Sequence, residues 1–480
     1  MADSKTTVTR NAFYQTVYNV LATLTPIITT PILTREVGSE NIGIFSFTLT
    51  VAQYFMVFAM LGVVNYGTRA IAECNGDKKK ISKTFWSIYL LQFGVSLTCN
   101  ILYFLYLALF PVKNHSIALI QSLWILATLF DINWLFFGIE EFKTTVTRNI
   151  IIKLASVIGI VLLVRKDNNA LFWYTLIMAG SSFLSTIVLM PLLKSRVTFI
   201  KPTIEEIKVH LKPVLILFIP LLATLLFSTM DKIMLGGFDE YAELGYYYNA
   251  DKVINIPLSI INGISAVLFP RISSILSQKD KDSGLKFINH SFEIVMWIAI
   301  AMALGIGGIS REFIPLFFGP GYDACIPLIY IMVPLLVLNA INIFYRMQYL
   351  VPFHKDKRYA TALFIGTAVN IVLNAILIPQ YKANGAAFAT LISEGVVTLV
   401  QISDHQGLEL GQWFKTTIVY TCFGLIMFGV IRLCSNLVSN AVLVVLLEIL
   451  IGASTYILLS LFYWKLTGSL NEKIGLLKRS

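Results

Sequence analysis

Long apolar runs follow one another along almost the whole chain, and charged or turn-forming residues separate them. A bilayer core about 30 Å thick needs roughly 20 apolar residues in helical form, because lipid offers no partners to backbone N–H and C=O groups. The runs have that length, and 56% of all residues are hydrophobic whereas 13% are charged. A soluble domain cannot bury so much apolar surface. The sequence therefore predicts an all-α polytopic membrane protein.

About fourteen runs are long enough to cross a membrane as helices. The predicted spans are 12–34, 42–66, 84–110, 117–138, 150–164, 170–193, 213–236, 246–274, 290–317, 326–350, 359–380, 384–403, 413–435 and 440–464. The span 150–164 is short, and the run that contains 246–274 is long. The predicted boundaries therefore hold to within several residues.

Lysine and arginine are distributed unevenly between alternate loops. Most of the 37 Lys and Arg residues lie in one set of loops, which includes Lys78–Lys80 and Lys194–Lys212. Cytoplasmic loops of membrane proteins carry an excess of these residues. The asymmetry predicts cytoplasmic termini and an even number of spans. Anionic lipid accounts for the basic runs, so no nucleic-acid partner is predicted.

Weak internal repetition indicates two halves. Ile42–Phe45 resembles Leu244–Tyr247, and Thr175–Ile177 recurs as Thr390–Ile392. Offsets of roughly 200–215 residues suggest six spans plus six, with a last pair appended, as in transporters built from parallel repeats. The predicted parts are an N-terminal six-helix lobe at 1–193, a cytoplasmic linker with an amphipathic helix at 194–212, a C-terminal six-helix lobe at 213–403, and an additional helix pair with a cytoplasmic tail at 404–480.

Motifs of enzymatic chemistry are missing from the sequence. It has no G-x-x-x-x-G-K-[ST] phosphate loop, no H-E-x-x-H and no G-x-S-x-G. The five cysteines and five histidines are scattered, so neither a metal nor a cofactor is predicted. Asp280 and Asp282 have the D-x-D spacing of metal-dependent glycosyltransferases, but they lie in a short polar run without a folded domain around it. The sequence argues against an enzyme.

Charges interrupt two neighbouring apolar segments, 213–236 and 245–276. They are Asp231, Lys232, Asp251 and Lys252. A charge in mid-membrane costs at least roughly 2.5–3.5 kcal/mol on insertion scales, so these groups need partners or a wet cavity. Pairing between neighbours at the membrane interface, where lysine can reach the headgroups, is the alternative. That alternative is strongest for Asp251 and Lys252.

Other polar side chains also lie inside predicted spans. The ionisable ones are Asp131, Lys153, Glu293, Glu394 and Glu448, and the amides include Asn339, Asn342, Asn370 and Asn374. The cost of burial against lipid favours a wet cavity for Asp131, Lys153, Lys232 and Glu394. For the asparagines, hydrogen bonds between helices, worth under about 2 kcal/mol each, are the simpler interpretation. Asn370 and Asn374 are four residues apart and share one helical face.

Several short stretches, taken in order, resemble a known family. They are Pro31–Gly38, Gly43, Asn65–Ala72, Asp231–Leu235, Gly245–Tyr247, Leu268–Ser273, Leu316–Tyr322 and Asn384–Ala387. Together they are similar to bacterial polysaccharide repeat-unit flippases, the Wzx-type O-antigen and capsule transporters of the multidrug/oligosaccharidyl-lipid/polysaccharide exporter superfamily. Arg35 and Arg69 belong to the N-terminal part of this signature. Each motif is weak alone, whereas their order and spacing are more specific.

This resemblance implies two six-helix lobes around a central cavity in the bacterial cytoplasmic membrane. It implies an undecaprenyl-diphosphate-linked oligosaccharide as cargo. The other partners are the lipid bilayer and the polysaccharide polymerase with its chain-length machinery. It also implies basic residues in the cavity, for which the candidates are Lys153, Lys232, Lys252 and Arg346. The first predicted span, 12–34, departs from that pattern because it carries no charge.

The predicted function is a flippase that moves the lipid-linked oligosaccharide by alternating access. Lys153, Lys232, Lys252 and Arg346 would bind its diphosphate, Asn339, Asn342, Asn370 and Asn374 would bind its hydroxyls, and Asp131, Asp231 and Glu394 would bind a coupling ion or neutralise the lysines. An ion-coupled multidrug/cation antiporter of the same superfamily is the alternative. Such an antiporter would line its cavity with unpaired carboxylates and aromatic rings. A third class is an assembly partner of the polymerase without transport activity.

Overall fold

The structure, a computed structural model, describes residues 25–164, 169–278, 280–435 and 440–468. The predicted cytoplasmic termini and the first half of the predicted span 12–34 lie outside these residues. The rest of that span belongs to helix α1, which is described over 25–37. Every regular element in the described ranges is helical, which confirms the predicted fold class.

The chain divides into two compact units, unit 1 from Met1 to Gly245 and unit 2 from Tyr246 to Ser480. After α1, the helices of unit 1 are α2 (Ser39–Met60), α3 (Val63–Ala72), α4 (Lys78–Leu109), α5 (His115–Leu129), α6 (Asn133–Gly138), α7 (Phe142–Leu163), α8 (Ala170–Ile187), α9 (Met190–Arg196) and α10 (Ile204–Gly237). Helix α11 (Tyr241–Ser277) crosses the boundary between the units. Unit 2 continues with α12 (Lys281–Phe318), α13 (Cys325–Tyr345), a π-helical turn (Arg346–Leu350), α14 (Asp356–Ile402), α15 (Leu410–Cys434) and α16 (Ala441–Leu466).

Among the described residues, twelve helical segments are long and apolar enough to cross a membrane. One of them, α14, is 47 residues long and bends at Lys382, where φ is 51° and the backbone leaves the helical conformation. The bend separates the two predicted spans 359–380 and 384–403. The total of about fourteen spans stays a prediction, because part of the first span is not described.

The predicted first residue of the short span 150–164 is wrong. Helix α7 begins at Phe142 and has 22 residues, so it is a full membrane helix. The sequence Lys143–Arg148 had been placed in a loop because of its charges. In the structure these residues form the first turns of α7, and the side chain of Arg148 is buried.

Helix α10 also begins earlier than its apolar run. The Oγ1 atom of Thr203 accepts a bond from the Glu206 amide (3.3 Å), and the Glu206 carboxylate accepts one from the Thr203 amide (3.0 Å). This capping box satisfies two amides that would otherwise lack partners at the helix start. Residues 204–212, predicted as a separate surface helix in the linker, are therefore continuous with the span. Helix α10 packs against α2, α3 and α4 of unit 1.

The two motifs that echo each other in sequence lie in contact. A Cβ atom on Gly43 would come within 1.7 Å of the Tyr241 carbonyl oxygen, and one on Gly245 within 2.0 Å of the Ser39 carbonyl oxygen. Only glycine permits such an approach of two backbones. Both glycines are thus explained by the packing of α2 against the start of α11.

Candidate functional site

The membrane segment His115–Gly138 is a broken helix, because Phe130–Ile132 is not helical. The Nε2 atom of Gln92 on α4 donates to the carbonyl oxygens of Thr128 (2.8 Å) and Asp131 (2.9 Å). These bonds replace the helical bonds that the break removes. Irregular backbone at membrane depth occurs where it is enclosed by protein or lines a cavity.

Asp131, a predicted ion-coupling residue, is connected to a buried arginine at this break. The backbone amide and the Nδ2 atom of Asn133 both donate to Asp131 Oδ1, at 3.0 and 2.7 Å. Arg148 Nη2 donates to Asn133 Oδ1 at 3.0 Å and to Asn149 Oδ1 at 2.6 Å. Asn133 thus bridges the carboxylate and the guanidinium group. Arg148 was not among the predicted site residues, because it lies in the predicted loop between the spans 117–138 and 150–164.

A polar cavity of about 240 Å³ lies beside this network, between α7 and α8. We call it the lysine cavity, after Lys153 in its wall. Its polar lining consists of Thr25, Asn149, Lys153, Ser156, Ser181, Ser182 and Ser185. Among the described residues, the Lys153 ammonium group has no hydrogen-bond or ion-pair partner. The hydroxyl side chains were missed, although Ser181, Ser182 and Ser185 recur at helical spacing.

The charges of the two interrupted segments have local contacts. Asp231 is buried close to Tyr54, whose hydroxyl accepts a bond from Thr229 Oγ1 at 3.0 Å. Lys232 is half-buried in the next position of α10. In unit 2, the Lys252 ammonium lies 4.3 Å from the centre of the Tyr248 ring, a cation–π contact.

Asp251, the acidic neighbour of Lys252, is hydrogen-bonded to a residue of its own helix. Asn255 Nδ2 donates to Asp251 Oδ1 at 2.8 Å. Asp251 and Lys252 thus each contact another residue of α11.

The asparagines of unit 2 fall into separate groups. Asn342 Nδ2 donates to Glu394 Oε2 at 2.6 Å, and Asn342 Oδ1 accepts a bond from Thr398 at 2.9 Å. Two residues with different predicted roles, one for cargo hydroxyls and one for an ion, are therefore bonded to each other. Asn374 donates to Asn370 at 2.9 Å, and both are fully buried.

Two further candidates of unit 2 stand apart from these groups. Asn339 is half-buried and makes no hydrogen bond with any residue that the structure describes. Arg346, at the start of the π-helical turn, donates to the Tyr359 hydroxyl at 3.3 Å, and its guanidinium carbon lies 5.3 Å from the centre of that ring. The Asn339 amide is therefore available for a hydrogen bond to a ligand. The guanidinium group of Arg346, in contrast, is bonded to the Tyr359 hydroxyl.

The arginines of the family signature are exposed. Arg69 forms an ion pair with Glu73 at 3.0 Å on the surface of α3. Arg35 lies near the end of α1, where its side chain is also exposed. Neither arginine lines the lysine cavity.

Unit 2 contains a cluster that the sequence analysis did not assign. Arg432 of α15 contacts Glu312 of α12 at 2.5 Å and Glu448 of α16 at 2.9 Å. We call these three residues the arginine triad. Glu448 also borders an apolar cavity of about 450 Å³ between α11, α12, α15 and α16. In the described ranges, no three His, Cys, Asp or Glu residues are arranged to hold a metal ion.

The fold matches solved membrane transporters. The structure titled "Lipid II flippase MurJ, inward closed conformation" aligns over 95% of this chain and 98% of its own, with a TM-score of 0.75 and 17% identity. An inward-facing MATE-family multidrug transporter of the MOP superfamily aligns over 82% of this chain and 95% of its own, with a TM-score of 0.59 and 13% identity. These similarities define the fold class, a polytopic helical transporter fold.

The family follows from the sequence. Residues 8–276, more than half of the chain, match the family described as "Polysaccharide biosynthesis protein", and the chain belongs to that family. The resemblance to polysaccharide repeat-unit flippases that the motifs indicate is thereby confirmed.

Two curated proteins illustrate the relationship. A protein of Escherichia coli (strain K12) named "Putative O-antigen transporter" is 25% identical over 407 residues, which are 84% of this chain and 97% of that protein. "Lipid II flippase MurJ" of Bacillus subtilis (strain 168) is 24% identical over 228 residues, 43% of this chain and 41% of that protein. Both names describe transport rather than catalysis, in agreement with the prediction that the chain is not an enzyme.

Proposed function

We propose that this protein is a flippase that carries an oligosaccharide linked to undecaprenyl diphosphate across the bacterial cytoplasmic membrane. The observation that carries the proposal is the lysine cavity, where Lys153 lacks a partner among the described residues. An ammonium group in a membrane helix is costly unless something compensates its charge. A ligand that brings negative charge supplies that compensation when it binds.

The rest of the cavity wall suits the other part of such a ligand. The hydroxyl groups of Ser156, Ser181 and Ser185 donate to backbone carbonyl oxygens of their own helices, so their oxygens can accept bonds from sugar hydroxyls. Asn149 and Ser182 can donate to phosphate oxygens. Ammonium-to-phosphate bonds are charge-assisted and comparatively strong. A diphosphate and a glycan cannot cross hydrocarbon unaided, so a transporter must provide groups of both kinds.

The cargo has an apolar part as well. The cavity of about 450 Å³ in unit 2 is lined by side chains such as Ile256, Ile298 and Ile449. A segment of prenyl chain fits this lining because burial of apolar surface is favourable on both sides. Unit 2 by itself thus has an apolar surface that suits a prenyl segment.

The remaining predicted residues keep secondary roles in the proposal. Lys232, Lys252 and Arg346 would contact the diphosphate at other stages of the cycle, and Asn339 a glycan hydroxyl. Asp131, Asp231 and Glu394 would bind a coupling ion or neutralise nearby basic groups, while Asn342, Asn370 and Asn374 would hold helices together. Cytoplasmic termini and contact with a polysaccharide polymerase and its chain-length machinery belong to the same proposal.

The multidrug/cation antiporter is less well supported. A cationic drug would be repelled by Lys153, the ionisable side chain in the wall of the lysine cavity. The Asp131 carboxylate nearby already accepts two bonds from Asn133. The charge of Lys153 therefore supports an anionic cargo over a cationic one.

The test is the export of glycan by cells whose own gene is replaced by a variant. Lys153→Ala should leave lipid-linked repeat units on the inner leaflet and lower the surface glycan, at a normal amount of protein. Lys153→Arg should retain part of the export because the charge is kept. Lys113→Ala is the matched control, since Lys113 is exposed and pairs with Glu40 at 3.3 Å. Wild-type export by Lys153→Ala would refute the proposal.

A further inference from the structure

The arginine triad of unit 2 holds more negative than positive charge. One guanidinium group, that of Arg432, contacts two carboxylates, those of Glu312 and Glu448. If both carboxylates are ionised, the triad carries a net charge of −1. A buried net charge is unfavourable at membrane depth unless a further partner compensates it.

The two carboxylates differ in their access to water. The side chains of Glu312 and Arg432 are 24% and 18% exposed, whereas that of Glu448 is 1% exposed. Glu448 Oε1 accepts a bond from Arg432, but Glu448 Oε2 is buried and has no hydrogen-bond partner among the described residues. A negative charge on this oxygen is unfavourable, because neither water nor a hydrogen-bond donor compensates it. Protonation of the carboxylate removes that charge.

In the described part of the chain, Arg432 is the positive charge that acts on the Glu448 carboxyl. From α12 the carboxyl faces Glu312, and from α15 it faces Arg432, whereas Tyr330 of α13 lies near Arg432. On its other side lies the apolar cavity, which is lined by residues such as Ile431 and Ala453. Neither side stabilises a second ionised carboxylate.

We propose that Glu448 is a proton-binding site. A proton from water forms an O–H bond with Oε2, while Oε1 keeps its bond to Arg432. The triad then changes from a net charge of −1 to zero, with Arg432 and Glu312 as a neutral pair. Glu312 and Arg432, which contact each other beside the Glu448 carboxyl, are themselves partly exposed.

The site goes beyond the proposed function, since it is defined without reference to cargo. Its consequence for transport is a negative charge beside the apolar cavity. This charge appears when Glu448 releases its proton and disappears when Glu448 binds one. The cavity should hold hydrocarbon better when Glu448 is neutral, because an ionised carboxylate prefers water.

Infrared difference spectra between mildly acidic and mildly alkaline buffer test the site directly. They are recorded on the full-length protein in lipid nanodiscs without cargo. The wild type should lose the C=O stretching band of a protonated carboxyl group on alkalinisation, and Glu448→Gln should lack that part of the signal. Glu409→Gln, at an exposed carboxylate that precedes α15, should keep it. An identical band in Glu448→Gln would overturn the proposal.

Two further variants keep the test decisive. Glu312→Gln leaves Arg432 to Glu448 alone, so the protonated form should be less populated at a given pH and the band weaker. An unchanged or stronger band there contradicts the charge argument. If Glu448→Gln fails to fold, Glu448→Asp should move the band, and a band at the wild-type position counts against the site. Because no cargo is present, loss of this signal and loss of glycan export are separate results.

Discussion

The two units treat their buried charges differently. In unit 1, Lys153 lies in the wall of a polar cavity and has no partner in the described part of the chain. In unit 2, Arg432 is bound by two carboxylates and borders, through Glu448, a cavity whose lining is otherwise mostly apolar. A charge without a protein partner is available to a ligand, whereas a paired charge mainly holds helices together. From this contrast we propose ligand binding at the lysine cavity, and a structural role together with proton binding for the triad.

The largest expected effect is on stability and comes from Arg432→Ala. This substitution leaves two carboxylates next to each other without a cation, and breaking a buried ion pair typically costs about 3–5 kcal/mol. The melting temperature of the purified protein should fall strongly. Lys153→Ala removes no hydrogen bond or ion pair to the described residues and should leave the melting temperature nearly unchanged. Equal losses of stability in the two variants would remove the contrast between the units.

The next effect is on transport and comes from Lys153→Glu. Reversal of the charge replaces an attraction to the diphosphate with a repulsion, and a lost charged hydrogen bond is worth about 1.5–3 kcal/mol. Glycan export should fall by about tenfold or more, since each 1.4 kcal/mol is a factor of about ten. The assay counts lipid-linked repeat units on the inner leaflet. Glu312→Gln in unit 2 is the comparison, and it should reduce export less.

A smaller effect is expected from Gln92→Leu, which tests the break next to the lysine cavity. The side chain is buried and bonds to two carbonyl oxygens and to Trp134 Nε1 at 2.9 Å. Loss of these bonds leaves buried polar groups unsatisfied, at about 1–3 kcal/mol. Cysteine labelling at Ser181→Cys should report a changed cavity. Unchanged labelling and an unchanged melting temperature would show that the break does not shape the cavity.

The smallest effect is expected at Asp77, which lies outside the membrane-spanning helices that line the two cavities. Backbone bonds from Lys80 and Lys79 hold the pKa of this carboxyl below its usual range. A lowered pKa in the folded state stabilises the fold above the ordinary aspartate range, and the stabilisation is lost as the pH falls through the folded pKa. Asp77→Ala should slightly lower the melting temperature at neutral pH, and the difference from wild type should vanish in strongly acidic buffer. A difference that persists there would mean that the cap does not act through its charge.

Residue patterns were most informative where the membrane permits one backbone conformation, the helix. Helix was predicted for every long apolar run, and the described residues agree. Boundaries were less accurate at charged helix ends: α7 begins at Phe142, in a stretch whose lysine and arginine had suggested a loop. Charge marks the membrane surface, but a helix continues through that surface when packing covers its first turns, as it does for Arg148.

The candidate site was predictable only in part. Lys153 could be selected because a lone ammonium in an apolar run is costly wherever the helix lies. The serines of α8 could not be selected, because a hydroxyl in a membrane helix usually bonds to the backbone of its own helix. The neighbouring sequence does not show which serines face a cavity. Arg432 and Glu448 are 16 residues apart and belong to different helices, so their ion pair depends on how α15 packs against α16.

The sequence by itself determined the class of the protein, its helical fold and the family to which it belongs, because these depend on apolar length, charge distribution and the order of short motifs. The tertiary structure alone decided which charges are paired and which face a cavity. Asn342 and Glu394, 52 residues apart, were assigned separate roles from sequence and lie 2.6 Å apart in unit 2. The physical reason is that the energy of a buried charge is set by its neighbours within a few ångströms, and helix packing chooses those neighbours.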